Sequence, residues 1–139
     1  PINAPYPSSP VPFPTLFYLK EADIRHPAAT PVFTDGNWQD AAPTESDSPS
    51  RDLWKGTDWL AQKYPYEMGR VALQRHGSIK AANRNYISSW QTAAPAGAVN
   101  ATMWDGHAEL VRLPDLWSLE WHKDWAKIIT PKPGFPAAY

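Results

Sequence analysis

The chain has 139 residues, the length of one domain, and its 42% hydrophobic and 13% aromatic content argues against a disordered chain. Thirteen Lys and Arg against fourteen Asp and Glu give a net charge of −1, which argues against a nucleic-acid-binding surface. The absence of cysteine excludes disulfides, thiolate nucleophiles and cysteine metal sites, and no apolar run reaches the about 18 residues that span a bilayer.

The first part of the chain predicts extended structure and one strand. Residues 1–16 hold six prolines, which fix φ and remove backbone donors, and they predict an extended arm that packs on its own domain or on a partner. Residues 17–26 predict a short helix or turn that Pro27 ends. Residues 31–33 predict a short buried strand, and the polar stretch 35–52 predicts a long loop.

The middle of the chain predicts a second strand between two irregular segments. Residues 54–64 offer one or two helical turns. Residues 69–75 alternate apolar and polar side chains, which is typical of a strand. After a second long insertion the chain ends in an extended tail at 131–139, so the predicted globular domain covers 17–130.

Asp105 and Gly106 lie between two alternating runs, which is the strongest short-range signal for a β-hairpin. A two-residue type I′ turn needs positive φ at both central positions, and this dipeptide supplies them. That turn pairs Trp104 with His107. The register collects an apolar face of Val99, Ala101, Met103, Ala108 and Leu110, and an opposite face of Asn100, Thr102, Trp104, His107, Glu109 and Val111.

Pro114 begins the last predicted element, because proline is favoured at the first helical position. Residues 114–125 predict a helix whose Leu116 and Leu119 cover the sheet. The tryptophans of this segment predict an aromatic belt that contacts neighbouring subunits. These residues are Trp117, Trp121 and Trp125.

One loop clusters oxygen ligands of the kind that calcium prefers, at Asp35, Asn37 and Asp40. The spacing does not match an EF-hand, and Asp and Asn also dominate ordinary turns, so a calcium site and an Asx-rich turn both stay open. No other cofactor is indicated. The four histidines form no three-ligand set by spacing, and no nucleotide-binding or nucleophile motif is present, so we expect no enzymatic activity.

The eight tryptophans have more than one interpretation. They build the core of a small, loop-rich domain, or they anchor one subunit on another. Exposed tryptophans also stack on pyranose rings. A carbohydrate-binding module is therefore the alternative to a structural subunit.

Three stretches, residues 23–43, 69–77 and 98–125, together resemble the C-terminal half of the prepilin-type proteins with an H-X9-DG domain, a family of Planctomycetes and Verrucomicrobia. These are type IV pilin-like or type II secretion pseudopilin-like proteins. Their strand, DG turn and returning strand match residues 103–109. Their RHG motif matches residues 75–77, and their LW…WH.D motif matches the segment from Leu116 to Asp124, which completes the resemblance.

The resemblance implies an α+β pilin-like head domain with a small antiparallel sheet, short helices and long proline-rich loops. It implies a structural subunit of an extracellular filament or secretion apparatus, which associates with itself or with other pilin-like subunits at the cell surface or in the periplasm. Such proteins reach the membrane through an N-terminal helix that these 139 residues do not include, so we expect a processed or cut chain.

One spacing departs from the family pattern. The motif places nine residues between His and Asp-Gly, whereas 28 residues separate His76 from Asp105 here. We therefore expect an insertion at residues 78–97.

Overall fold

In the computed structural model, the described part of the chain forms a small α+β fold around a three-stranded antiparallel sheet. The described residues are 17–37, 41–45, 47, 49, 53–54, 67–77 and 96–126. The predicted arm at 1–16, the tail at 131–139 and the helical turns after Trp54 lie outside them, as does Asp40. Within these ranges no helix is both long and apolar enough to cross a membrane.

The sheet contains β1 (Pro31–Thr34), β2 (Ala98–Met103) and β3 (Ala108–Arg112), with β2 in the centre. The predicted hairpin of β2 and β3 is confirmed, and so is the strand at 31–33. The expected burial of that strand is wrong, because β1 lies at the edge of the sheet and Phe33 is 73% exposed.

The predicted register of the hairpin is wrong by one residue. Thr102 pairs with Ala108, so three residues form the loop instead of two. The N–H of Gly106 donates to the carbonyl of Met103 at 3.0 Å, and Gly106 has a φ of +91°. This is the usual three-residue hairpin loop, a turn followed by one left-handed residue, which glycine adopts without steric cost.

The shifted register reverses the two faces of β3, because side chains alternate along a strand. Val111 is buried and Leu110 is 56% exposed, the opposite of the prediction. Trp104 lies inside the loop and does not pair with His107, whose carbonyl accepts the N–H of Met103 at 2.8 Å. The β2 residues keep their predicted faces.

The hydrophobic core lies on one side of the sheet, which we call the inner face. The 3₁₀ helix Leu113–Ser118 and the segment after it cover this face. The backbone turns extended at Leu119, so the helix predicted over 114–125 is shorter and of a tighter type. The predicted burial of Leu116 and Leu119 is confirmed. The core contains Leu53, Met68, Val71, Ala72, Val99, Ala101, Met103, Val111, Leu113, Leu116, Trp117, Leu119 and Trp125.

The strand predicted over 69–75 is wrong. Glu67–Arg70 forms a 3₁₀ helix, and tight turns follow it, in one of which the N–H of Leu73 donates to the carbonyl of Val71 at 2.7 Å. The alternation of apolar and polar residues does not indicate a strand with one exposed face here, because all four residues after this helix are buried. Further along the chain, His76 pairs with Ala98 of β2 through an isolated antiparallel bridge.

Two more 3₁₀ helices, Glu21–Asp23 and Pro27–Ala29, precede β1. The short helix predicted within 17–26 is thus confirmed. The Asp23 carboxylate holds its start, because it accepts the N–H groups of Leu19 and Lys20 at 3.2 and 3.3 Å.

Candidate functional site

The face of the sheet opposite the core, which we call the outer face, combines exposed apolar groups with a polar cluster. Side chains two apart along a strand share a face, so the pairing of the strands defines which residues lie there. The chain beyond β1 stays in register, because the N–H of Asp35 donates to the carbonyl of Asn100 at 3.0 Å. The outer face then consists of three cross-strand rows: Phe33, Thr102 and Ala108; Asp35, Asn100 and Leu110; and His76, Ala98 and Arg112.

Asp35, His76 and Asn100 form one hydrogen-bonded group in the middle of this face. The Asp35 Oδ2 lies 2.9 Å from the His76 Nε2 and accepts the backbone N–H of Asn100 at 2.8 Å. The side-chain amide of Asn100 lies 2.8 Å from the same His76 nitrogen. The Asp35 carboxylate thus takes the place of a backbone carbonyl in the ladder, which explains why β1 ends at Thr34.

We call Asp35, His76 and Asn100 the clasp, because their contacts join three separate segments of the chain. A single ring nitrogen offers either one proton or one lone pair, so the Nε2 of His76 either donates to the Asp35 carboxylate or accepts from the amide nitrogen of Asn100. Asp35 and His76 are 34% and 42% exposed, so solvent reaches both side chains. The three residues fasten the end of β1 and the segment at His76 to the central strand.

The predicted calcium site is not assembled by the described residues. Asp35 directs one carboxylate oxygen at His76 and at the backbone of β2, and the backbone N–H of Asn37 donates to the carbonyl of Arg70 at 3.0 Å. Asp40 lies outside the described part of the chain. In that part, no group of three or more His, Asp or Glu side chains is arranged to hold a metal ion.

Next to the clasp, two glycines that are distant in the sequence lie close together. Gly77 and Gly97 lie side by side next to the bridge between His76 and Ala98, and a Cβ placed on Gly77 would contact the Cα of Gly97 at 3.6 Å. A direct path from His76 across this contact to Asp105 contains Gly77 and residues 97–104, which are nine residues. This path leaves out residues 78–96 and includes Gly97, whose carbonyl accepts the N–H of Leu113 at 3.0 Å.

The hairpin loop presents an exposed tip that combines an aromatic ring, an acid and an imidazole. Trp104 is 47% exposed, and its backbone N–H donates to the carbonyl of Thr30 at 2.9 Å. The Asp105 carboxylate contacts the His107 ring Nδ1 at 2.6 Å and accepts the His107 backbone N–H at 3.2 Å. The ring contact first, and the backbone contact second, lower the pKa of Asp105 below its ordinary value.

The tryptophans predicted as a subunit-contacting belt belong to the interior. Trp117 and Trp125 are buried, and Trp121 is half-buried against the core. All three indole N–H groups donate to backbone carbonyls of the same chain, at 3.2, 3.1 and 2.8 Å. The expectation for Trp117 and Trp125 is therefore corrected, because large rings in a small domain gain more by filling its core.

Every histidine of the chain contacts a carboxylate, which the sequence spacing does not indicate. Except at the hairpin tip, the partners are far apart in the sequence, so no local motif could reveal them. The pairs are His26 with Glu120 at 2.6 Å, His76 with Asp35 at 2.9 Å, His107 with Asp105 at 2.6 Å, and His122 with Glu45 at 3.3 Å.

Asp47 is a second residue that the sequence did not single out. It is fully buried, and its carboxylate accepts the Thr44 hydroxyl at 2.5 Å and the backbone N–H of Met68 at 3.1 Å. Its carbonyl accepts the indole N–H of Trp117 at 3.2 Å. Asp47 therefore anchors the acidic loop to the core.

Comparison with protein families, with curated proteins and with solved structures finds no match to this chain.

Proposed function

We propose that this chain is a structural subunit of a type IV pilin-like or pseudopilin-like assembly at the cell surface or in the periplasm. It acts by self-association or with other pilin-like subunits, and it does no chemistry. Small α+β folds serve many functions, so the proposal depends on specific features and not on the fold class alone.

The contact between Gly77 and Gly97 is the observation that carries the proposal. The sequence alone separates His76 from Asp105 by 28 residues, which departs from the H-X9-DG pattern. Across the glycine contact the separation becomes nine residues, the number in that motif. Counted along this path, the spacing agrees with the motif, and this agreement supports the proposal.

The distribution of side chains also supports a structural role. The histidine and the Asp-Gly of the motif are both engaged: His76 in the clasp, and Asp105 and Gly106 in the hairpin loop. The Trp117 and His122 of the LW…WH.D segment are buried beneath the sheet. The motif residues thus hold the domain together, which leaves exposed loops and the outer face for contacts with other subunits.

Electron microscopy of the protein isolated from its source tests the proposal. Immunogold label raised against the 139-residue chain should decorate filaments or a multisubunit envelope complex, and intact-mass spectrometry should find the chain in the same fraction. Label confined to dispersed single particles, with the chain monomeric in the same fraction, would contradict a role in assembly.

A deletion tests the observation beneath the proposal. Joining Gly77 directly to Gly97 removes 78–96 and should leave a folded domain, because the two glycines already lie side by side. Its cross-strand contacts between β2 and β3 should be those of the full chain by NMR. A control that deletes 78–98 also removes Ala98, the partner of His76, and this variant should not form the native sheet. Loss of folding in the first variant would show that the nine-residue path is accidental.

Carbohydrate binding is the second candidate, and the hairpin tip is the observation that favours it. An exposed Trp104 beside the ionised Asp105 offers a stacking ring next to a hydrogen-bond acceptor for sugar hydroxyls. Glycan-array binding that Trp104→Ala abolishes and Trp54→Ala preserves would support this function. Silence of the wild-type protein on the array would remove it.

A further inference from the structure

The two outer edges of the sheet differ in how they are protected against pairing with another strand. Natural sheets protect their edges with proline, bulges or charged side chains. On β1, Pro31 has no N–H to offer, and the pairing with β2 is interrupted by a bulge between Pro31 and Phe33. The edge of β1 is therefore short and irregular.

The edge of β3 has neither a proline nor a bulge, and its charged residues are Glu109 and Arg112. Its five residues pair with β2 in one unbroken register, without proline or lysine. The N–H of Met103 donates to the carbonyl of His107, and the N–H of Leu113 donates to the carbonyl of Gly97. The backbone N–H and C=O groups of the odd-numbered residues of β3 therefore point towards β2. The backbone groups of Ala108, Leu110 and Arg112 consequently point away from the sheet.

These outward groups are accessible. Ala108, Leu110 and Arg112 all have exposed side chains, and in the described part of the chain no strand lies beyond β3. Leu110 stands at the centre of the edge, 56% exposed, with its side chain on the outer face. An apolar residue flanked by unpaired backbone donors and acceptors is the arrangement that strand addition uses.

We propose that the β3 edge pairs antiparallel with the β3 edge of a second copy of this chain, about a two-fold axis at Leu110. This inference rests on the proposed function, since it names the surface through which the subunit associates. The pairing continues the sheet across both copies, in the order β1-β2-β3 followed by β3-β2-β1.

Charge and a proline distinguish this register from the two neighbouring ones. With the axis at Leu110, Ala108 lies opposite Arg112 of the second copy and Glu109 lies opposite Val111, so no two like charges meet. Moving the axis by one residue towards the hairpin loop would place the two Glu109 side chains opposite each other. Moving it the other way would bring Pro114, which lacks an N–H, into the pairing.

The size of the contact sets its strength. A stable interface buries about 800 Å² on each partner, and one five-residue edge buries less. We therefore expect a weak dimer with a Kd between about 0.1 and 1 mM. Within a larger assembly such a contact adds to others through effective concentration.

Sedimentation equilibrium of the full chain up to about 1 mM tests the pairing, with Leu110→Lys as the disrupting variant. Two lysines would then face each other at the axis, and the Kd should rise at least roughly tenfold. Leu19→Lys, at an exposed position outside the sheet, and Phe33→Lys, on the outer face beside the protected edge, are the matched controls and should associate like wild type.

A cysteine variant tests the register independently. The chain has no cysteine, so Leu110→Cys introduces a single thiol. Residues that face each other in a hydrogen-bonded antiparallel pair have Cα atoms about 5.5 Å apart, within the range of a disulfide. Mild oxidation should link Leu110→Cys into dimers and leave Phe33→Cys and Leu19→Cys monomeric.

The possible outcomes separate this inference from the proposed function. Self-association that Leu110→Lys does not weaken would overturn the edge pairing while leaving a self-assembling subunit in place. A wild-type chain that is monomeric at every concentration would also overturn the edge pairing. The labelling of filaments in material from the source then decides the proposed function by itself.

Discussion

Along β2, Val99, Ala101 and Met103 point to the inner face and are buried, whereas Asn100 and Thr102 point to the outer face and meet solvent or polar partners. The inner face packs against the 3₁₀ helix Leu113–Ser118, which buries two leucines and Trp117. The outer face carries a three-residue clasp and exposed Leu110. Within this strand, alternate residues from Val99 to Met103 therefore differ in role: one set is buried and stabilises the domain, and the other lies on the face that we propose for contacts with other subunits.

The largest effect is expected for Trp117→Ala on the inner side. Removing this buried ring leaves a cavity and removes the indole N–H that the Asp47 carbonyl accepts, so we expect a loss of about 3–5 kcal/mol in the free energy of unfolding. Trp104→Ala, the exposed counterpart, should change it by less than about 0.5 kcal/mol. Urea denaturation followed by circular dichroism compares the two.

If Trp117→Ala does not fold, Trp117→Phe keeps most of the ring and should show a smaller loss of the same sign. Equal effects of the two alanine variants would contradict the difference between the buried inner side and the exposed hairpin loop.

An intermediate effect is expected at Asp47, which joins the acidic loop to the core. Asp47→Ala removes the carboxylate that accepts the N–H of Met68 and the hydroxyl of Thr44, which should lower the free energy of unfolding by about 1–3 kcal/mol. Asp115→Ala is the matched control, because its carboxylate is exposed and lies 3.8 Å from Arg112. If denaturation gives the same free energy of unfolding for Asp47→Ala and Asp115→Ala, the loop is not anchored at Asp47.

The smallest effect concerns the hairpin tip and pH. The pKa of Asp105 is lowered in the folded protein, so its contribution to stability is present above the ordinary Asp pKa and is lost as pH falls through the lowered value. An NMR titration of the Asp105 carboxyl carbon should give a pKa that rises towards the ordinary value in His107→Ala. An unchanged titration in that variant would remove His107 as the cause.

The sequence predicts the parts of the fold that depend on neighbours in the chain. The Asp-Gly dipeptide predicts the hairpin, and Pro114 predicts the start of a helix, because both act through local backbone geometry. The same dipeptide does not distinguish a two-residue loop from a three-residue loop. That single residue exchanges the roles of Leu110 and Val111.

The clasp and the other histidine–carboxylate contacts could not be predicted in this way. His76 lies 41 positions from Asp35, and they meet because the chain returns to β2 at the two glycines. Residues 71–74 show a related limit of sequence patterns. Their alternation of apolar and polar side chains suggests a strand with one buried face, but all four residues are buried and they form no strand. Tertiary contacts decide such positions, and they leave no periodic signal in the sequence.

Residue-resolved amide hydrogen exchange at two protein concentrations tests most directly that the inner face holds the fold while the β3 edge remains open for association. The amides of Ala101 and Met103, which face β3, should exchange slowly at both concentrations. The amide of Leu110 should exchange rapidly in dilute solution and more slowly near about 1 mM. Slow exchange of Leu110 in dilute protein, or rapid exchange at both concentrations, would contradict the account.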